Sequence, residues 1–262
     1  MGDVPAHLLE LPLHLGTMSF GAIVMGMAGH DIRLFHMIRH NLAGSSIGGQ
    51  FSLEDNGLGR VDFAALVIGA ITFVWGIICI RLCVGQFKGR RGNYTGEGTK
   101  AWLPVTLIYL IILGAWTGIT SAYTAYANTR RWSLSPGPAY STPFSEGVQY
   151  ALYQIAQSFY SSSAASFYIP DGGFAALGIQ ADTISPWNSA TTAEQANALV
   201  NKYLRNGNFY RALVIVLWLT LATVFTATVV HFFMPIVLKY FGLTREDKRK
   251  KEMRGLESRD YA

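Results

Sequence analysis

Cysteine is nearly missing from this chain: Cys79 and Cys83 are the only two among 262 residues, four positions apart inside an apolar segment. A stapled secreted domain needs an even set of cysteines spread through its loops, so a disulfide scaffold is excluded. Charge is scarce as well. Asp, Glu, Lys and Arg make up 14% of the residues, where a soluble domain carries nearer a quarter. With 50% of the residues hydrophobic, neither a disordered chain nor a nucleic-acid-binding domain with a dispersed basic surface fits, and no nucleic acid partner is expected. A nucleophile with its base, a glycine-rich phosphate loop and zinc-finger spacing are all missing, which speaks against a hydrolase or a nucleotide-binding protein. The chain reads as a non-enzyme without a cofactor.

What is present is apolar sequence in blocks, so that the mean hydropathy is only +0.25 although individual segments are strongly apolar. Spanning a bilayer core of about 30 Å takes roughly 20 apolar residues in a helix, because unpaired backbone groups in hydrocarbon each cost several kcal/mol. Four segments are long enough: about Leu11 to Gly29, Val61 to Ile80, Trp102 to Ala127 and Ala212 to Leu238. The first is kept as a membrane helix rather than a signal peptide, because no Lys or Arg precedes it and no small-residue cleavage site follows. The expected fold is an all-α integral membrane protein, a four-transmembrane-helix bundle with a long, partly helical outer loop between helices 3 and 4. Residues 1–127 would hold helices 1–3 with short loops, 128–210 an extracellular or luminal loop subdomain, 211–241 helix 4, and 242–262 a basic tail.

The net charge of +5 is unevenly placed. Arg81, Lys88, Arg90, Arg91 and Lys100 cluster between helices 2 and 3, and eight Lys or Arg lie between Lys239 and Arg259. Positive residues stay cytoplasmic, so both termini are expected inside, in a plasma or organelle membrane. The acceptor sequence Asn93-Tyr94-Thr95 would then be cytoplasmic and unglycosylated. The basic tail can also meet anionic lipid.

Within the outer loop, Thr142-Pro143 reads as a helix start, with Phe144, Val148, Leu152, Ile155 and Phe159 recurring at helical steps. A second helix is expected from Thr191, with Glu194 completing a capping box, to about Gly207. Pro170 to Gly173 and Ser185 to Asn188 are turn chemistry.

Ionisable residues inside a bilayer are costly and mark function by default. His231 is the one residue that reads clearly as such, and no acidic coupling residue of the kind transporters use is expected. His14 and His231 could approach within the bundle, as a bis-histidine haem would require. His30, Asp31, His36 and His40 form a second candidate set, since His36 and His40 share a face if helix 1 continues past the membrane; Arg33 and Arg39 oppose a cation there. Cys79 and Cys83, one turn apart near a helix end, are candidates for palmitoylation or are simply buried small side chains.

Two further stripes stand out. Ser19, Ala22, Gly26 and Gly29 form a seam of small residues that would let another helix approach closely. Trp102, Tyr109, Trp116 and Tyr123 recur every seven residues, an aromatic line that either packs within the bundle or offers an edge to lipid or a neighbouring protomer. Four crossings, the run Ile23-Val24-Met25-Gly26-Met27-Ala28-Gly29 and the segment Asp62 to Gly76 together resemble the MARVEL-type tetraspan proteins of fungi and animals. The resemblance implies a non-enzymatic role in organising membranes, by homo-oligomerisation or assembly with other membrane proteins and lipids. An accessory subunit of a larger membrane redox or oxygenase complex is the alternative, and a histidine-ligated haem or metal protein is a third reading.

Overall fold

The computed structural model describes residues 7–43, 49–87, 99–128, 132–140, 142–161, 178, 180, 184–206 and 208–240. The basic segment 88–98 with its acceptor sequence, the turn at 170–173 and the tail at 241–262 lie outside the described residues. Four long helices carry the chain: α1 (His7–Ala43), α2 (Leu58–Phe87), α3 (Thr99–Asn128) and α6 (Asn208–Tyr240). Each contains a stretch of 24 to 31 residues that is long and apolar enough to cross a membrane. Large apolar side chains face outward from them, among them Ile111 (71% exposed), Phe63 (62%) and Trp218 (50%). Such exposure would be costly in water and costs nothing in hydrocarbon, so the chain is a membrane-embedded protein.

The sequence of each long helix buries a heptad line. On α1 the line runs Glu10, His14, Thr17, Gly21, Val24, Ala28, Asp31, Phe35, Ile38 and Leu42, in alternating steps of four and three, with Leu34 buried beside it. On α2 it runs Leu58, Asp62, Ala65, Gly69, Thr72, Gly76, Cys79 and Cys83; on α3, Val105, Tyr109, Ile112, Trp116, Ile119 and Tyr123, with Thr106 and Thr120 buried beside it; on α6, Tyr210, Leu213, Leu217, Thr220, Val224, Ala227 and His231, with Thr228 beside it. A repeat averaging 3.5 residues keeps one face of a helix toward neighbours that cross at a shallow left-handed angle. Hydrophobicity cannot mark that face in a membrane helix, because lipid is as apolar as leucine. Small and polar residues mark it instead.

The chain forms two compact units. The first comprises Met1–Ile23, Val67–Gly118 and Leu217–Ala262. Here glycine sets the helix spacing. A Cβ at Gly76 would lie 2.7 Å from Cβ of Met18, and one at Gly21 would lie 2.9 Å from the carbonyl oxygen of Gly69. Backbones that close cannot admit any side chain. Nearby, Trp116 Nε1 donates to Thr72 Oγ1 at 3.0 Å, and Thr17 returns its hydroxyl to the Leu13 carbonyl at 2.8 Å.

The second unit comprises Val24–Leu66 and Ile119–Val216. Two short strands absent from the sequence reading pair antiparallel in it, β1 (Phe51–Glu54) against β2 (Ser133–Pro136), with Leu53 opposite Leu134. Among the described residues the fold is mostly helical, consistent with an all-α membrane protein, and carries this short two-stranded ribbon beside the helices. Asn56 and Gly57 adopt positive φ after β1, and Asp55 accepts from the amides of Gly57 and Gly59, both at 3.1 Å, to start α2. Helix α4 (Glu146–Ser161) begins three residues later than Pro143 suggested, with Ser145 as its cap. Phe144, Val148 and Leu152 are buried as the periodicity predicted; the side chains of Ile155 and Phe159 lie outside the described residues.

Helix α5 (Ala193–Asn206) starts one residue after the expected capping box. The amide of Gln195 meets Thr192 Oγ1 at 3.4 Å while Gln195 Oε1 accepts from the Thr191 amide at 2.9 Å. Thr192 therefore caps the helix and the Gln195 side chain returns to Thr191, in place of the expected box of Thr191 with Glu194. A single-turn 3-10 helix (Trp187–Ser189) buries Trp187 completely. Asn197 fastens α5 to β2, accepting from the Leu134 amide at 2.7 Å and donating to its carbonyl at 3.1 Å. Leu134 and Leu152 are buried to within 2%, and each such side chain contributes about 1.5–3 kcal/mol.

Candidate functional site

The buried heptad lines carry more acid than the sequence reading allowed. Because α1 begins at His7, Glu10 falls inside the helical bundle at 1% exposure, and Asp62 lies one turn into α2 at 3%. The expectation that His231 is the one clear intramembrane ionisable group is corrected by both. Each anchors a polar centre.

The first unit's centre gathers residues from four helices. Glu10 and His14 sit one turn apart on α1, so both project from the same face. Oε2 of Glu10 lies 3.6 Å from Nε2 of His14, and Oε1 lies 3.6 Å from Nδ1 of His231 on α6. The other nitrogen of His14, Nδ1, is 2.7 Å from the hydroxyl of Tyr109 on α3. Tyr109 Oη in turn donates to Cys79 Sγ at 3.6 Å, and Cys83 lies one turn further along α2. Tyr109 stacks near-parallel on His14 with ring centroids 6.1 Å apart, and stands 5.8 Å from the His231 ring and 5.9 Å from that of Trp75. Glu10, His14, Tyr109, Cys79, Cys83 and His231 are all at most 2% exposed.

His14 and His231 each lie 3.6 Å from an oxygen of the Glu10 carboxylate. A porphyrin between them is not accommodated, because the Tyr109 ring and the Glu10 carboxylate occupy that space. Of the other histidines, His30 is half-buried while His36 and His40 lie exposed on one face of the continued α1. Among the described residues, the group whose ligand atoms converge is Glu10, His14 and Cys83, within 4.8 Å of one another; the His30 to His40 set does not form such a group.

In the second unit, the hydroxyl of Tyr123 donates to Oδ1 of Asp62, and Tyr210 Oη donates to the Tyr123 carbonyl at 2.9 Å. A cleft of about 720 Å³ opens beside them, lined among others by Phe35, His36, Arg39, Arg60, Asp62 and Trp132.

Tyr109, Trp116 and Tyr123 are each 0% exposed, so this aromatic line packs inside the chain. Its assignment as an edge for lipid or a protomer is corrected. Its hydroxyl and indole groups find partners on other helices, which hydrocarbon could not supply. The side chain of Trp102 lies outside the described residues. Cys79 and Cys83 are buried against Tyr109 and Val105, which removes them as palmitoylation candidates, since a thiol facing the core offers an acyl donor no access. Ser19 and Gly26 are exposed, whereas Ala22 and Gly29 are half-buried; a Cβ at Gly26 would meet nothing within 4 Å. The close approach within the chain uses Gly21, Gly69 and Gly76 instead.

A face that sequence reading missed lies opposite the aromatic line on α3. Leu107, Ile111, Gly114, Gly118, Ser121 and Ala125 are all exposed at alternating steps of four and three. A Cβ at Gly114 or at Gly118 would have nothing within 4 Å.

Residues 1–85 are similar to a family described as a domain of unknown function (DUF8059). No curated protein matches the chain, and no solved structure does.

Proposed function

We propose that this protein is a non-enzymatic tetraspan that self-associates in the bilayer to organise a membrane. The observation that carries the reading is the open glycine pair on α3. Gly114 and Gly118 are spaced four apart, face outward, and leave room for another backbone. Small residues at that spacing let two helices approach closely in lipid, where association depends on contact rather than on escape from water. The heptad continuation through Leu107 and Ile111 supplies bulk beside the notch. The MARVEL-type resemblance of the first two helices supports the same role, as does the exposed apolar surface of the bundle. The basic segment after α2 and the basic tail support both termini being cytoplasmic.

The test is the mass of the particle in lipid nanodiscs. Single-molecule photobleaching of full-length protein should show two or more copies per disc, and Gly114→Ile with Gly118→Ile should return it to one. A strictly monomeric wild type overturns the proposal, and a particle held together by stoichiometric redox subunits would establish the accessory-subunit alternative.

A further inference from the structure

The centre made by Glu10, His14, Tyr109, Cys83 and His231 is poorly explained as a stabilising network. Side-chain hydrogen bonds between membrane helices average about 0.6 kcal/mol, whereas burying one ion away from water costs several kcal/mol. Leucines in these positions would hold the helices together as well. The Glu10 carboxylate has both oxygens buried without a hydrogen bond, and Nε2 of His14 is in the same condition. Their 3.6 Å separations exceed the 2.7–3.2 Å of a hydrogen bond. The Glu10–His14 separation matches two ligands sharing a central ion, since bonds of about 2.0–2.3 Å at tetrahedral angles hold ligand atoms roughly 3.3–3.7 Å apart, and the Cys83 sulfur lies within 4.8 Å of both.

We infer that Glu10, His14 and Cys83 form a binding site for a divalent transition-metal ion of the zinc type. One carboxylate oxygen, one imidazole nitrogen and one thiolate sulfur are the donors that borderline ions of this kind accept. Charge argues in the same direction. A dication with the Glu10 carboxylate and the Cys83 thiolate sums to zero, which is the one total that hydrocarbon tolerates cheaply. Binding deprotonates Cys83, so each ion taken up releases the thiol proton.

The surroundings are those of a metal site. Nδ1 of His14 lies 2.7 Å from the Tyr109 oxygen; with the Tyr109 proton given to Cys79, Nδ1 is the donor and Nε2 is left to ligate. Tyr109 passes its own proton toward Cys79 Sγ. His231 stands on the second carboxylate oxygen of Glu10 and acts as a positioning residue. Cys83 lies one turn before the end of α2 and Glu10 one turn after the start of α1, so an ion arriving at the helix ends has a short path.

The inference is independent of self-association and its test is spectroscopic. Full-length protein in detergent is stripped with a chelator and titrated with Co²⁺, which replaces Zn²⁺ and is coloured. One Co²⁺ per chain is expected, with visible d–d bands of tetrahedral intensity and a near-ultraviolet thiolate-to-cobalt band, both abolished by Zn²⁺. Cys83→Ser should remove the thiolate band, and Cys79→Ser should keep it. His231→Gln and Tyr109→Phe should keep the band and weaken affinity by about 10- to 100-fold. Surface binding at His36 or His40 would lack the thiolate band. Wild-type protein that binds no stoichiometric Co²⁺, or a thiolate band that survives Cys83→Ser, overturns the assignment.

Discussion

Tyr109 and His14 are bonded across the helical bundle, hydroxyl to Nδ1 at 2.7 Å, although 95 residues separate them in the chain. The pair joins α3 to α1 at a depth where no water replaces a lost partner. Tyr109→Phe therefore leaves the His14 nitrogen buried and unsatisfied. The expected loss is about 1–3 kcal/mol of stability, read as a lowered midpoint of thermal unfolding in detergent. An unchanged midpoint would mean that His14 finds another partner and that the bond is incidental.

Glycine positions should divide into two classes with opposite behaviour. Gly76→Ala places a methyl 2.7 Å from Met18 Cβ and 3.0 Å from Met18 Cα, and the two helices must separate. Overpacking of this kind costs about 1–3 kcal/mol. Gly26→Ala meets nothing within 4 Å and gains helix propensity of up to about 1 kcal/mol. Unfolding midpoints of the two variants in the same detergent should move in opposite directions; equal losses would contradict the assigned faces.

The difference between those classes was not legible in the sequence, and the reason is physical. Four apolar blocks announce four helices, since the bilayer demands the length whatever the partners. Which glycine faces which helix depends on pairing, and a seam such as Ser19, Ala22, Gly26 and Gly29 has the same spacing as the one that packs. The aromatic line on α3 was visible as a period of seven, but the side it faced was not. Glu10 lies one residue before the apolar block that opens at Leu11, so a hydropathy reading places it outside, whereas α1 starts at His7; Asp62 is the second residue of the Val61 to Ile80 block, where a charge reads as the block's edge, whereas α2 starts at Leu58. The i, i+4 pairs Glu10 with His14 and Cys79 with Cys83 were the available signal. Strands β1 and β2 are four residues each and about eighty residues apart, so nothing local specifies their pairing.

Asn197 holds both backbone groups of Leu134, a two-point bond that only an amide can make. Asn197→Asp keeps the side chain's shape and one acceptor but loses the donor. The Leu134 carbonyl is then left facing a carboxylate. About 1–3 kcal/mol of local stability should disappear, with faster hydrogen exchange at the β1 and β2 amides and unchanged exchange in the long helices. Uniform acceleration throughout would instead mean that the ribbon and the helices unfold as one.

The thiols give the most direct check on the heptad reading. Cys79 is 0% and Cys83 2% exposed, although they sit near the end of a membrane helix where a lipid-facing cysteine would be open to modification. Folded protein should resist a membrane-permeant maleimide at both positions, and denaturation in SDS should release two reactive thiols per chain. Val84→Cys, moved by one residue onto a side that is 42% exposed, should label without denaturation. Rapid labelling of Cys79 or Cys83 in the folded state would place the buried line of α2 on another face, and the contacts of Tyr109 with it.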